Sequence, residues 1–473
     1  MDQGTRRTIE ALDHWEERGG PRYHRLAGAL GELIDRHVIA ADERLPAERT
    51  LAAALGVSRG TVVAAYDELT QAGLVVRRQG SGTRARRPHR GEPRPGRDNP
   101  AAVQLRRRLT GGADLIDLSL SLPTSVDHLP PSTPLALTPA HLAHTGSGLH
   151  PTGLPELRAA IARHLTEQLQ LPTMPDQLIV TTGAQQALSL LSAASVRPGV
   201  PVLLPCPTYP AGIAVLSRAG GHLVPLPTDS AGVQPQPLER ALEANPHAVT
   251  YLIPTGDNPG GSVMPAARRE RVGEIVAAHD TLVIEDLTLA ALTLDDDPPP
   301  PLAATHDDVV AVGSVSKLLW AGLRVGWIRV DGPRHERLYR LKAAADLGSG
   351  IPEQLLATEL LGGVDDAWLR GHRADLATRR DHLLGELARH LPDFRPNRPE
   401  AGLSLWVSVP AADTEELARV ALTHGVAVMP GQPACHDHGH LDHIRISFAD
   451  APEVLTVGVE RLAAAWRAHQ EAR

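Results

Sequence analysis

Ser314-Val315-Ser316-Lys317, followed by Gly322-Leu323-Arg324-Val325-Gly326, decides how this chain is read. Lysine and arginine together number 47 among 473 residues, yet the only lysines are Lys317 and Lys342. Where arginine serves almost everywhere, a retained lysine marks a need for a primary amine, which a guanidinium cannot replace in carbonyl chemistry. Arg324, seven residues on, carries the planar donor fork that clamps a phosphate, and Ser314 adds a hydroxyl. Lys342, in Arg337-Leu338-Tyr339-Arg340-Leu341-Lys342, falls on a charged helix and is expected in solvent.

Outward from this stretch, short apolar runs at 178–181, 202–204, 249–253, 282–284, 309–312 and 325–328 alternate with helical stretches such as 185–195 and 266–279. That alternation predicts an α/β body with a mainly parallel sheet covered on both faces. A large domain over 113–350 and a smaller α+β domain over 351–473 are expected.

The ends of those runs carry the polar residues. Thr182-Gly183-Ala184-Gln185 joins a strand to a helix, so its backbone N–H groups suit a phosphate. Pro207-Thr208-Tyr209-Pro210, Asn258-Pro259-Gly260-Gly261, Ile284-Glu285-Asp286 and His443-Ile444-Arg445-Ile446 follow in order. Over residues 113–450 the set resembles the fold-type I aminotransferases. The resemblance implies pyridoxal 5'-phosphate as cofactor, held by Lys317 as an internal aldimine. It implies Gly183, Ala184, Gln185, Ser314 and Arg324 around the phosphate and Tyr209 stacked on the ring. It also implies Asn258 at the ring oxygen, Asp286 at the pyridine nitrogen, and Arg445 for the carboxylate of a substrate or effector.

The front of the chain reads differently. Residues 22–38 form an amphipathic pattern with Leu26, Leu30, Leu33 and Ile34 on one face. A second helix is expected over 47–55 and a third over 59–72, with Ser58 at its N-cap. A strand at 74–78 and a hairpin tip at 79–83 complete a winged helix-turn-helix. Leu45-Pro46-Ala47-Glu48-Arg49 with Gly56-Val57-Ser58-Arg59-Gly60-Thr61-Val62 resembles the GntR family of bacterial regulators. Double-stranded operator DNA is then the expected partner, met by Arg49, Ser58, Arg59 and Thr61 and by Gln79 and Gly80 of the wing. Ser58 also reads simply as an N-cap, and Tyr66 as core packing.

Charge divides the chain the same way. Residues 1–110 hold 20 arginines against 14 acidic residues, and residues 111–473 hold 27 basic against 41 acidic. A basic head on an acidic body fits a nucleic-acid module joined to something else. The head is expected over 1–84. Residues 85–112 are expected as a Pro/Arg-rich tether, read equally as solvated or phosphate-contacting. Head, tether and body together resemble the MocR subfamily of transcriptional regulators, which implies a head-to-tail homodimer responding to the cofactor or a small amino compound.

The same residues bound the alternatives. No apolar run is long enough to span a membrane, and the first twenty residues are too charged for a secretory signal. Cys206 and Cys435 suggest neither a disulfide framework nor zinc-ligand spacing, so no metal and a cytoplasmic setting are expected. The aminotransferase pattern breaks in three places. Leu287, Thr288 and Leu289 stand where a tyrosine usually follows the aspartate, Gly148-Leu149-His150 precede Pro151 without a tyrosine, and Gly256-Asp257 replace a His-Gln pair. A regulator with little turnover is the leading expectation. An aminotransferase carrying a DNA-binding head is the alternative.

Overall fold

The computed structural model describes residues 7–9, 11–12, 15, 22–35, 38–39, 43–71, 74–78, 82–85, 114–131, 138–436 and 439–471. The chain divides into two compact units, Met1–Asp98 and Asn99–Arg473.

In the first unit, helices α1 (Arg22–Asp35), α2 (Glu48–Leu55) and α3 (Arg59–Gln71) precede the antiparallel hairpin of β1 (Val75–Arg78) and β2 (Gly82–Ala85). The expected face of α1 is the buried one: Leu26 and Leu30 are fully covered and join Leu51, Val62, Ala65 and Leu69 in one core. Gly56 closes α2 with a φ of 64°, in the left-handed region that glycine enters without strain, and so sets the turn into α3. Tyr66 is core, as its packing reading held, and its hydroxyl donates to Pro46 O at 2.6 Å. Gln79, Gly80 and, of the expected tether 85–112, residues 86–112 lie outside the described residues.

The second unit is built on eight strands: β4 (Leu178–Thr181), β5 (Pro201–Cys206), β6 (His222–Asp229), β7 (Gly232–Val233), β8 (Val249–Leu252), β9 (Leu282–Asp286), β10 (Val309–Ser314) and β11 (Gly326–Arg329), ordered β4-β11-β10-β9-β8-β5-β6-β7. The run from β10 through β6 is parallel, and β11 is antiparallel to both its neighbours. The central strands β8 and β10 are buried at every residue, as covered parallel strands require. Because β11 reverses, β4 points the same way as β10, and Thr181, Gly326 and Ser314 stand in one row at one edge.

A smaller antiparallel sheet of β12 (Arg395–Pro396), β13 (Ser404–Ser408), β15 (Met429–Pro430) and β16 (His443–Ser447) is ordered β12-β13-β16-β15. A short parallel pair, β3 (Ile116–Asp117) with β14 (Val426–Ala427), leads the chain alongside it, and Ser447 N donates to Leu118 O at 2.8 Å. Among the described residues no helix is long and apolar enough to cross a membrane.

One expectation fails here. Lys342 is fully buried, not solvated: its ammonium reaches Asp346 Oδ1 at 2.5 Å and Ser349 Oγ at 3.2 Å. The charged composition of its helix suggested exposure, but an acceptor four residues on lets the amine sit under cover.

Candidate cofactor and effector site

The expected body residues gather where the parallel strands end, the usual place for a ligand in an open α/β sheet. Asp286 ends β9, Ser314 ends β10, Gly183 follows β4, Tyr209 follows β5 and Asn258 follows β8. Lys317 lies three residues past β10. Its amine donates to Ser121 O at 2.5 Å. Burial and the nearby Arg445 charge lower the Lys317 pKa to about 7, with Asp286 pulling the other way.

Asp286 is buried, and both carboxylate oxygens are held. Tyr251 donates its hydroxyl to Oδ2 at 2.7 Å, and Thr288 N donates to Oδ1 at 2.9 Å. Tyr251 was missed by the sequence reading. Its only signal was a tyrosine inside the short run Val249-Thr250-Tyr251-Leu252 in a chain with five tyrosines. Burial, then the Asp286 charge, pushes the Tyr251 hydroxyl well above its ordinary pKa, so it stays a donor. Tyr209 is pushed up to about 12 by the same two causes, and it donates to Gln185 Oε1 at 3.2 Å.

The Gly183 turn is a tight fit around Arg324. Gly183 has a φ of 101°, and a Cβ there would stand 2.9 Å from an Arg324 Nη atom. Arg324, itself left-handed at φ 51°, donates to Thr182 O at 2.8 Å and is otherwise exposed. The helix Ala184–Ser195 starts beside it; Gln186 N and Ala187 N donate to Gly183 O, and the N–H groups of Ala184 and Gln185 precede the first helical carbonyl they could bond. Ser314 is turned inward: its hydroxyl bonds Val325 O and Ser316 Oγ, both at 2.9 Å, bracing the loop that carries Lys317.

Arg445 is central in β16 and buried. Its guanidinium donates to Asn258 Oδ1 at 2.8 Å and to Ser119 O at 2.6 Å. Burial lowers its pKa to about 10, which leaves it charged at neutral pH. The stretch after β3 thus lends one carbonyl to Arg445 and another to Lys317, a backbone role that no residue type announces.

The donor set fits a phosphorylated pyridine aldehyde. A half-buried amine, a buried oriented carboxylate and an arginine at a helix N-terminus converge. Ser121 Oγ, Thr208 Oγ1, Thr288 Oγ1 and Arg445 Nε are buried with no hydrogen-bond partner among the described residues. Buried polar atoms so left are costly, and a polar ligand would relieve them.

The cysteine expectation is corrected here. Cys206 and Cys435, 229 residues apart in sequence, are joined by a disulfide with a Cα separation of 5.3 Å. Sequence distance hid a pairing that the end of β5 and the turn after β15 create, with Thr208 N donating to Ala434 O at 2.8 Å beside it.

In the head, Arg49, Ser58 and Arg59 are exposed and Thr61 is half-buried. Ser58 is an N-cap in fact: its hydroxyl accepts from Thr61 N at 3.1 Å. Arg59 pairs with Glu48 across the turn, at 3.0 Å. Both side chains are partly exposed, so the pair is weak and easily exchanged.

Comparison with known proteins agrees with both units. Residues 123–462 match the family described as aminotransferase class I and II, and residues 22–84 match the bacterial regulatory proteins of the gntR family. YdfD of Bacillus subtilis, an uncharacterized HTH-type transcriptional regulator, is 28% identical over 93% of this chain and 95% of its own. PdxR of Corynebacterium glutamicum, an HTH-type pyridoxine biosynthesis transcriptional regulator, is 30% identical over 72% of each chain. The crystal structure of LysN, the alpha-aminoadipate aminotransferase of Thermus thermophilus, complexed with N-(5'-phosphopyridoxyl)-L-leucine, superposes with a TM-score of 0.69 at 27% identity. It covers 78% of this chain and 96% of that one. A GntR head that implies DNA binding, joined to a body of a fold that generally depends on pyridoxal phosphate, is the MocR arrangement, and the chain belongs to the aminotransferase class I and II family as a DNA-binding transcriptional regulator of that type.

Proposed function

We propose that the body of this regulator binds pyridoxal 5'-phosphate at Lys317 and senses a small amino compound bearing a carboxylate, and that this binding alters how the head holds its operator. The observation that carries the reading is the convergence of Lys317, Asp286 and Arg445 on one buried site. The likeness to LysN, which holds a phosphopyridoxyl-leucine, supports it. The regulator works as a cytoplasmic head-to-tail homodimer, with lobes at 113–350 and 351–473 and a tether over 85–112.

When bound, pyridoxal phosphate supplies a carbonyl for amines and a ring that draws off electrons. The chain's own groups do the rest. Asp286, aimed by Tyr251 and Thr288 N–H, would hold a proton on the pyridine nitrogen. Arg324, Gly183, Ala184 and Gln185 receive the phosphate at the helix N-terminus. Ser314 joins them only by releasing the Val325 carbonyl. Tyr209 would cover one face of the ring, and Asn258 would exchange Arg445 for the ring oxygen. Arg445 takes the effector's carboxylate.

The lowered Lys317 pKa sets a pH dependence. Only the neutral amine attacks an aldehyde, and it predominates above about 7. Capture of added pyridoxal phosphate by cofactor-free protein is expected to slow about tenfold per unit below that pH and to level off above it. Stopped-flow absorbance from pH 5.5 to 9.5 checks this. A rate still climbing to the top of the range, as for an ordinary lysine, contradicts it.

In the head, Arg49, Ser58, Arg59 and Thr61, with Gln79 and Gly80 of the wing, meet the DNA. Arg59→Ala is expected to weaken operator binding by about 1–3 kcal/mol, roughly five- to hundredfold. Fluorescence anisotropy at matched salt measures it, because phosphate contacts make every affinity salt-dependent. Unchanged affinity removes α3 as the reading helix.

The enzyme reading keeps one point in its favour, the complete amine–carboxylate–arginine set. The test that separates the readings is whether a carboxylate-bearing amine shifts the cofactor spectrum and the DNA affinity together, without steady release of keto acid.

A further inference from the structure

We infer that, in the reduced protein, Cys206, Cys435 and His440 form a binding site for a borderline divalent cation of the Zn2+ class. The two sulfurs and a ring nitrogen of His440 lie within 4.8 Å of one another. Cys435 is buried and the other two are half-buried, so the cluster is sheltered yet reachable. Zinc takes thiolates at about 2.3 Å and imidazole at about 2.0–2.1 Å, so its tetrahedral ligand atoms stand within about 4 Å of each other. The three ligand atoms are therefore gathered to within a small rotation of what the ion needs.

Two observations make this more than a pair of nearby thiols. First, Cys435 opens the stretch Cys435-His436-Asp437-His438-Gly439-His440-Leu441-Asp442-His443, in which four histidines and two aspartates fall within nine residues. Such a density of imidazoles raises the local concentration of ligands. Second, His440 is positioned by its neighbours. Its ring meets Trp406 edge-on at 5.9 Å and His443 at 5.0 Å, and His443 in turn stacks on Trp406 at 5.0 Å and bonds Asp442. His440 also adopts a φ of 57°, a conformation uncommon outside glycine, which turns the loop back toward the cysteines.

The donor set selects the metal. Two thiolates and an imidazole favour zinc over magnesium or calcium, which prefer oxygen. Three protein ligands leave a fourth position for water or an exogenous ligand. The site would also join two parts of the body, since Cys206 ends β5 directly before Pro207-Thr208-Tyr209 and Cys435 belongs to the turn between β15 and β16. A reducing compartment keeps such a pair as thiols. In the bridged form the sulfurs are bonded to each other and unavailable. A phosphine reductant with water opens the bridge to two thiols and the phosphine oxide. Binding of the cation then displaces the two thiol protons.

The test uses untagged full-length protein, reduced by a phosphine without oxygen and titrated with Co2+ alone as a spectroscopic probe. The expected result is one Co2+ per chain, with sulfur-to-metal charge-transfer bands, tetrahedral ligand-field bands, displacement by Zn2+ and release of protons on binding. Air-oxidised protein should show none of the charge-transfer bands. Cys435→Ser is expected to remove them or to weaken binding roughly a hundredfold or more, and His440→Asn to weaken it by more than about a hundredfold, beyond the roughly 10–100-fold that loss of an outer-shell partner costs. Circular dichroism confirms that each variant is folded. If Cys435→Ser does not fold, His440→Asn decides the matter. Reduced wild-type protein that binds no Co2+, or binds it without charge-transfer bands through the loop histidines alone, overturns the inference, as does His440→Asn binding like wild type.

Discussion

Lys317→Ala protein is expected to carry no covalently attached cofactor, where the wild-type protein is yellow and yields one cofactor-bearing peptide after reduction with borohydride. The expectation rests on chemistry that only a primary amine performs and on a lysine inventory of two. Lys342 is an internal control. It is fully buried, hydrogen-bonded to Ser349 and ion-paired with Asp346. Peptide mapping after trapping should therefore label residue 317 alone in the wild-type protein and no lysine in the variant. The loss of visible colour should be complete. Weak binding is expected to persist, because Arg324 at the helix start and Asp286 at the far end keep their own anchors. Label on Lys342, or undiminished trapping in the variant, removes Lys317 from the proposed role.

The ease of reading these residues differs for physical reasons. Lys317 and Asp286 stood out in the sequence because each is a chemically distinctive type placed just past an apolar run, where a parallel sheet presents its ligands, and Arg324 because it directly precedes the run that becomes antiparallel β11, at the same end of the sheet. The helices of the head were legible because their apolar spacing and turn residues agree. Leu26 and Leu30 face the core, Gly56 makes the turn, and Ser58 caps the next helix. What escaped was set by contacts distant along the chain. Tyr251 acts through Asp286, 35 residues away, and a tyrosine in a buried strand carries no label. Ser119 and Ser121 act through backbone carbonyls, which every residue possesses. Cys206 and Cys435 meet across 229 residues. Lys342 was misread because composition reports a helix's average surroundings and not those of one side chain.

These missed contacts also change how the site works. Arg445 is not a bare cation waiting in a pocket. It already spends donors on Asn258 Oδ1 and Ser119 O, while its Nε has no partner among the described residues. An incoming carboxylate must replace at least one of those acceptors. That exchange displaces either the Asn258 side chain or the backbone leading to Ser121, which holds the Lys317 amine. Occupation at Arg445 is thus mechanically linked to the lysine through the short stretch Ser119-Leu120-Ser121. A sensor needs such a link between recognising a ligand and changing the state of its site, and a coupling of this kind requires that the ligand favour one arrangement over the other.

Arg445→Ala should accordingly abolish the response to a carboxylate-bearing amine while leaving the cofactor in place. Truncating one partner of a buried charged hydrogen-bonded pair costs about 2–5 kcal/mol, roughly thirtyfold or more in affinity. Titration with the amino acid, read by the absorbance of the bound cofactor and by operator binding, measures it. The same amine lacking its carboxylate serves as control and should bind wild type and variant alike. Arg445→Lys should recover little, since a point charge does not reproduce the planar fork that bonds Asn258 and Ser119 together. In the wild-type protein, keto acid should accumulate slowly at most. Leu287, Thr288 and Leu289 leave no tyrosine directly after Asp286, and Tyr251, which does reach Asp286, is bonded to its carboxylate rather than free for a ring oxygen. The proton balance that repeated turnover demands is therefore poorly provided, while binding demands only Arg445 and the Lys317 amine. Sustained turnover with a common amino acid at roughly 1–1000 per second would make the enzyme reading the better one. A carboxylate ligand that shifts the spectrum of Arg445→Ala as strongly as that of wild type would place the carboxylate elsewhere.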